Sequence, residues 1–366
     1  MAIKRIICFH LFNDYSGSPK VLRMVLEGLL KKGHRVDLVS SNGGVLDELG
    51  KYPNLKKHSY QYTFSDNALL TMLRYTGIQL YTFLLAFRYL FCRDCVFYIN
   101  TLLPVGPALA GRIMGKRVVY HYHENAFVKG AFYKALAWAM QHLAHKIICV
   151  SAYQASFLKR QNDVVVVPNA VPQEFVNKLR PNPKEAFERK NVLMLSSLKE
   201  YKGTREFIEL ARRLPQFNFT LVINDTQENV DKYMKSILPP PRLDNLTIYS
   251  RQADVSLFYC SASIVVNLTN SKLAIETFGL TILEAMTAGL PVIVPTQGGI
   301  AEMVDEGKNG CKIDIQELDS IVWHIEQILT DKKHYERMAY SALDMSRRYS
   351  LESMLSEINK TLWTIT

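Results

Sequence analysis

The chain has 366 residues, 48% of them hydrophobic and 21% charged. At about 100–200 residues per domain this implies two domains with a core each. It excludes a wholly disordered chain, and 18 Gly and 14 Pro exclude collagen-like or low-complexity sequence. The charge is lopsided. Residues 1–170 hold 21 Lys+Arg against 9 Asp+Glu, net +12, and the remainder is net −2. A basic half suits nucleic acid, anionic lipid or a phosphorylated substrate, or is a solvated surface.

Taken in order, Ile3–His10 reads as a strand. The opening residues pass straight into it without a signal-peptide layout, and no apolar run reaches the ~20 residues that span a bilayer, so a cytosolic chain is expected. The loop Asn13–Pro19 places Gly17 and Ser18 where backbone N–H groups could meet a ligand. Val21, Leu22, Val25, Leu26, Leu29 and Leu30 recur at helical spacing, and Gly33 stops the helix. Further strands are expected at Val36–Ser40, Val96–Asn100, Arg117–His121, Lys146–Ser151 and Val164–Pro168, with helices between. Ala68–Phe91 stands apart, being apolar nearly all round, aromatic, and carrying Arg74 and Arg88 but no acid. Two readings stay open for it: a segment resting on anionic lipid, or a helix buried against the sheet.

Around Val171–Asn191 the alternation lapses among Pro172, Pro181 and Pro183, as in a linker. It resumes with strands at Val192–Ser196, Phe219–Ile223, Leu246–Tyr249, Ile264–Leu268 and Pro291–Pro295. Helices are expected at Thr204–Leu214, Val230–Ile237, Thr281–Ala288, Ile300–Glu306, Leu318–Asp331, His334–Tyr349 and Leu351–Thr366. Such alternation predicts an α/β protein of two doubly wound, Rossmann-like domains facing a cleft, the ligand lying outside the carboxyl ends of the strands. The expected divisions are a first Rossmann-like domain at 1–170, a linker at 171–190, a second Rossmann-like domain at 191–349, and a C-terminal helix at 350–366 that crosses back to the first domain.

Besides Gly17 and Ser18, three stretches carry candidate chemistry. In Ile275–Met286, Glu276 follows a strand, Gly279 permits close backbone approach, and Thr281 with Glu284 has capping-box spacing. A helix start there favours an anion, and Glu284 either caps the helix or offers acceptors to a ribose diol. Lys202 sits at a strand-to-helix junction where its ammonium can reach a phosphate. His121-Tyr122-His123-Glu124 lacks any zinc spacing, so one group at the strand end is expected to face the cleft rather than a metal. There is no G-x-G-x-x-G, no Walker loop and no D-x-D motif. Cys8, Cys149 and Cys260 read as core residues, and Cys92-x-x-Cys95 lacks a second pair for zinc.

These segments resemble retaining glycosyltransferases of the GT-B fold, glycosyltransferase family 4. The resemblance is carried by Glu276-x-Phe278-Gly279-Leu280…Glu284-Ala285-Met286…Gly289…Pro291-Val292, by Gly298-Gly299-Ile300-Ala301-Glu302, and by Lys202-Gly203, Val167–Val171 and Lys32–Val36. It implies transfer of a sugar from a nucleotide-diphosphate sugar, taken as a UDP-sugar, with retention, the first domain on the acceptor side and the second binding the nucleotide sugar. The basic first half and Ala68–Phe91 suggest a lipid-linked or saccharide acceptor in surface polysaccharide or glycolipid assembly. With cations and helix N–H groups on the diphosphate, neither cofactor nor metal is expected. Glu284 would bind the ribose, and Glu276 would lie near the donor sugar as the first glutamate of the E-x7-E pair. Phe278, Gly279, Leu280 and Thr281 would hold the diphosphate or sugar hydroxyls. Lys202 would neutralise the departing diphosphate, His123 would contact the sugar, and Gly17 and Ser18 would lie beside the phosphates.

One departure stands out. The family has Gly-Arg-Leu where this chain has Ser196-Ser197-Leu198, so Lys199, Arg205 or another cation must substitute, or leaving-group stabilisation is weaker. Two rival readings follow: a nucleotide-sugar-binding scaffold without turnover, and a nucleotide-sugar epimerase. Expected partners are the nucleotide sugar, its acceptor and an anionic membrane surface on the cytoplasmic side, but not nucleic acid.

Overall fold

A computed structural model describes residues 4–128, 130–238 and 243–363. Ile3 and residues 364–366, at the ends of the expected first strand and last helix, lie outside them. Residues up to Asn169, with those from Glu352 onward, form one compact unit, and Ala170–Leu351 form the second.

The first unit runs β1 (Arg5–Phe9), α1 (Gly17–Lys31), β2 (Arg35–Ser41), β3 (Leu55–Tyr60), α2 (Ala68–Ala86), β4 (Cys95–Asn100), α3 (Val105–Ile113), β5 (Arg117–Tyr122), α4 (Ala131–Leu143), β6 (Lys146–Cys149), α5 (Ala152–Ala155) and β7 (Val164–Val166). Its seven strands are ordered β3-β2-β1-β4-β5-β6-β7, all parallel. The order turns outward in both directions from β1 and β4, the doubly wound topology. Ile6, Ile7, Val96, Phe97, Val118 and Tyr120 are fully buried, as near-continuous apolar runs are when helices cover both faces.

The second unit runs α6 (Gln173–Lys178), α7 (Pro183–Arg189), β8 (Asn191–Ser196), α8 (Thr204–Arg213), β9 (Asn218–Ile223), α9 (Gln227–Ile237), β10 (Leu246–Tyr249), α10 (Ser256–Ser261), β11 (Ile264–Val266), α11 (Leu280–Thr287), β12 (Val292–Val294), β13 (Gly310–Lys312), α12 (Leu318–Thr330) and α13 (Lys332–Ser346). Its strands are ordered β10-β9-β8-β11-β12-β13, again all parallel. The final helix α14 (Leu351–Trp363) belongs, from Glu352 on, to the first unit, where the Arg117 guanidinium donates to the Thr361 carbonyl at 3.0 Å. Both sheets are the Rossmann-like α/β architecture the alternation implies.

Three local expectations change. Residues 171–190, expected as a linker, are largely helical. They hold α6 and α7, because Pro183 stands at the start of a helix, where its missing N–H costs nothing, and Asn182 caps it by accepting from Glu185 N. Two strands went unread, β3 and the three-residue β13. The expected helix Ile300–Glu306 is a short 3-10 turn over Gly299–Met303.

Ala68–Phe91 splits at Ala86 into α2 and a 3-10 turn. Burial against the sheet does not hold for most of α2. Only Thr82 and Ala86 are buried, because the helix packs chiefly on α3 rather than on the strands. The six cysteines are all free. Burial pushes the Cys95 thiol up to about 12 and Cys149 likewise, so both are inert core groups.

Candidate active site

In the second unit, three segments at the carboxyl edge of the sheet converge on Glu276. After β8 the chain makes a 3-10 turn, Glu200–Lys202, and enters α8 through Gly203. Gly203 is left-handed (φ +76), and a Cβ there would lie 2.4 Å from the Leu268 carbonyl oxygen. Only glycine lets this turn press against the β11–α11 loop. Asn270 N donates to Tyr201 O at 2.7 Å and locks the two loops together. From the other side Gly299 N donates to Glu276 O at 2.9 Å.

The result is an ion pair between the Lys202 ammonium and Glu276 Oε1, each side chain less than a quarter exposed. Thr269 Oγ1 donates to the same oxygen at 3.1 Å. Burial pushes the Glu276 carboxyl up, but the Lys202 charge, its hydrogen bond, and bonds from Thr269 and Asn267 together hold it below its usual range. Lys202 and Glu276, 74 residues apart, are thus neighbours.

Three residues beyond Glu276, the chain turns into α11. Its N-cap is Gly279, at φ +92, with no side-chain cap. Thr281 is therefore inside the first turn and is not the cap, and Glu284 closes no capping box. Gly279 takes the cap because its left-handed turn brings the backbone onto Ile300, where a Cβ would lie 2.6 Å from Cγ1. Phe278 is buried, edge-on to the Tyr349 ring. The first-turn N–H groups of Leu280 and Thr281 have no acceptor within the helix, so positive potential gathers there.

One turn on, Glu284 is held by a group the sequence did not point out. The fully buried Tyr259 hydroxyl donates to Glu284 Oε2 at 2.6 Å. Burial and the Glu284 charge push the Tyr259 hydroxyl well above its usual range, so it stays a donor. A buried tyrosine needs a partner for its hydroxyl, and that is the one sequence signal that could have drawn attention to it.

The second cation that Ser197 fails to supply has a candidate in Lys199. Its ammonium and that of Lys202 lie 5.8 and 5.6 Å from the centre of the same Tyr201 ring. Arg205, in the first turn of α8, is exposed.

In the first unit, Gly17 and Ser18 are not in a loop. They open α1, behind the N-cap Ser16. Pro19 follows as the third residue, compatible with a helix start, so the helix begins earlier than turn chemistry suggests. Their N–H groups are first-turn donors all the same. Asn13 fixes this loop from a buried position. Its N–H donates to Ser41 Oγ at 2.9 Å, its amide donates to Asp47 Oδ1, and its carbonyl accepts from Leu46 N.

His123 follows β5 and belongs to a relay across three adjacent strand ends. His123 Nε2 donates to Asn100 Oδ1 at 3.0 Å, and Asn100 Nδ2 donates to His10 Nδ1 at 3.1 Å. His121, fully buried, is hydrogen-bonded through Nδ1 to the Tyr98 hydroxyl at 2.6 Å, its ring centre 4.1 Å from that of His123. Burial holds His10 down to about 4 and His121 down to about 3. Burial, with the neighbouring histidines, holds His123 well below its usual range. All three rings are neutral at pH 7, so His123 is a polar contact rather than a cation. We expect NMR of the ring nitrogens to show His123 as the Nε2–H tautomer from pH 7 to 5. A ring titrating near 6.5 would contradict this geometry. Among the described residues, no group of three or more His, Cys, Asp or Glu is placed to hold a metal.

With this geometry in view, the comparisons agree on one class. The family model Glycosyl transferases group 1 matches residues 175–345, and Glycosyltransferase Family 4 matches residues 15–175. Together they take in both units, and the chain belongs to this GT-B glycosyltransferase family. An uncharacterised glycosyltransferase of Methanocaldococcus jannaschii is 27% identical over 211 residues, 54% of this chain and 53% of that protein. The chain thus spans about half the length of that relative. Among solved structures, Anabaena HepE covers 99% of this chain and 100% of its own at TM-score 0.79 and 18% identity. It was crystallised with UDP and glucose, and with UDP-glucose. Sucrose-phosphate synthase of Thermosynechococcus elongatus covers 98% of each chain at TM-score 0.75 and 15% identity. At these identities the likeness is one of fold.

Proposed function

We propose that this glycosyltransferase moves a hexosyl group from a nucleotide-diphosphate sugar, a UDP-sugar, to a lipid-linked or saccharide acceptor, with retention of anomeric configuration and without a metal or cofactor. The observation that carries the reading is the Lys202–Glu276 pair beside the first turn of α11. Breaking a sugar–phosphate bond leaves an oxocarbenium-like carbon and sends the bonding electrons to the diphosphate. A fixed ammonium and helix N–H groups stabilise that charge as it grows. The reading assigns the Glu276 carboxylate to the sugar and Glu284, oriented by Tyr259, as acceptor to a ribose diol. From the first unit the proposal takes Gly17 and Ser18 as phosphate donors and His123 as a neutral contact to the sugar. UDP as the nucleotide is supported by what the HepE structures contain. A UDP-sugar donor and a lipid-linked acceptor place the reaction on the cytoplasmic side, peripheral to the membrane, in surface polysaccharide or glycolipid assembly.

The test is a thermal-shift panel of nucleotides and nucleotide sugars, then mass spectrometry of acceptor products and NMR of the new anomeric centre. UDP-sugar turnover into an acceptor product with the donor's configuration supports the reading. Binding without turnover supports the scaffold, and a changed sugar on the nucleotide without acceptor supports the epimerase. Lys199 also gives a sharper outcome. Lys199→Ala is expected to lower kcat about tenfold, and adding Ser197→Arg to restore it, if a second cation serves the diphosphate. An unchanged rate in Lys199→Ala removes Lys199 from that role.

A further inference from the structure

The outer side of α2 is apolar and faces water. Leu69, Leu73, Leu80 and Leu84 fall on one side of the helix, and each is 60–69% exposed. The neighbouring helices also expose apolar side chains, and α2 packs on α3 and α3 on α4. Ile113 of α3 is 61% exposed and Trp138 of α4 is 63% exposed. Phe91, just past α2, is almost fully exposed. An unpartnered apolar surface this broad marks an interaction face.

Its charge says what kind of partner. None of α2, α3 and α4 contains a single Asp or Glu, while Arg74, Arg112 and Lys134 lie on them and Arg88 follows α2. At that end of α2 the side chains of Arg88, Lys56 and Arg5 line a cavity together with His58. Its one carboxylate, Asp37, is already paired with Arg5 at 2.6 Å, and the buried Arg5 Nε has no acceptor. Exposed Asp66 precedes α2 and exposed Asp94 follows Phe91, but the three helices themselves carry only cations, so a second copy of this face would set like charges against each other along them. An anionic lipid surface meets both properties at once, by attracting the cations and receiving the leucines and the indole.

We propose that the α2–α3–α4 face seats on an anionic bilayer, with the leucine stripe and Trp138 in the interfacial layer and Arg74, Arg88, Arg112 and Lys134 among the headgroups. The helices lie on the membrane rather than cross it, since no described helix is long and apolar enough to span. This deepens the acceptor side of the proposed function, because a face seated on lipid fits a lipid-linked acceptor. It rests on that reading only for the acceptor. Vesicle binding is measured with neither donor nor acceptor present, so failure of transfer and failure of docking are separate results.

The experiment is flotation of the full chain with vesicles of phosphatidylcholine alone, or of phosphatidylcholine mixed with phosphatidylglycerol, at low and high salt. We expect binding to the mixed vesicles, weakened at least about tenfold in phosphatidylcholine alone or at high salt. The double variant Leu73→Glu, Leu84→Glu should lose at least about tenfold, while Leu257→Glu, an equally exposed leucine of the second unit, should bind as the parent does. Should the double variant fail to fold by circular dichroism, fluorescence decides. Mixed vesicles should blue-shift the emission, a shift lost in Trp138→Phe and kept in Trp323→Phe. Absence of binding to the mixed vesicles overturns the proposal. So does undiminished binding by the folded double variant, a shift that survives Trp138→Phe, or a dimer in light scattering that the leucine substitutions dissociate.

Discussion

Lys202→Ala is expected to lower kcat/KM for the donor by about a thousandfold, the range seen when one fixed donor is removed from a developing anion. Glu276→Gln, which keeps the shape and the bond from Thr269, should fall comparably if the carboxylate charge serves the sugar. Rates of either variant within about threefold of the parent would remove the pair from the reaction.

The pair also makes a prediction about stability that needs no substrate. In the parent the Glu276 carboxyl is depressed. Its contribution is therefore fully present above its usual value of 4.5 and is lost as pH falls through the lower folded value. In Lys202→Ala burial remains and the cation is gone, so the carboxyl moves the other way, above its usual range. That variant should be less stable at pH 7 by about 1–2 kcal/mol, discounting for the partial exposure of both side chains. It should regain stability as pH is lowered toward 5 and Glu276 protonates. Thermal melts of parent and variant across this range check the sign. A variant whose deficit grows on acidification would show that Lys202 is not what holds Glu276 ionised.

The residues of this site that the sequence announced are those whose geometry is local. Glu276 and Glu284 fall within one loop-and-helix segment, and Lys202-Gly203 sits at a strand-to-helix junction, so spacing alone locates them. What remained hidden was long-range. Tyr259 lies 25 residues from the Glu284 it orients, and His10 lies 90 residues from Asn100. Nothing periodic links such pairs. Local rules also misled where two were satisfied at once. Thr281 with Glu284 fits a capping box, but Gly279 reaches the left-handed turn first and takes the cap. Gly17 and Ser18 read as turn residues, but Ser16 caps ahead of them. Leu55-Lys-Lys-His-Ser-Tyr did not read as a strand because β3 is an edge strand with little apolar content. For α2 composition had no resolving power, since a buried helix and a lipid-facing helix demand the same side chains.

Acidification should destabilise the first unit well before its carboxylates protonate. His10 and His121 are buried as neutral rings held down to about 4 and about 3, against an ordinary value of 6.5. Below 6.5 the unfolded chain binds protons at these positions and the folded chain does not. Stability is therefore complete above 6.5 and falls steadily as pH drops toward the folded values. At pH 5 each ring accounts for a loss of about 2 kcal/mol. His123, also held low, adds to it. Urea unfolding between pH 7 and 5, followed by tryptophan emission in a Trp323→Phe background so that the signal comes from Trp138 and Trp363, isolates the first unit. His10→Gln, which keeps a polar group for Asn100, should flatten the slope by its own share. A stability independent of pH over this interval would mean that the rings charge within the fold, and that the relay from His123 through Asn100 to His10 is not the neutral hydrogen-bonded array that presents His123.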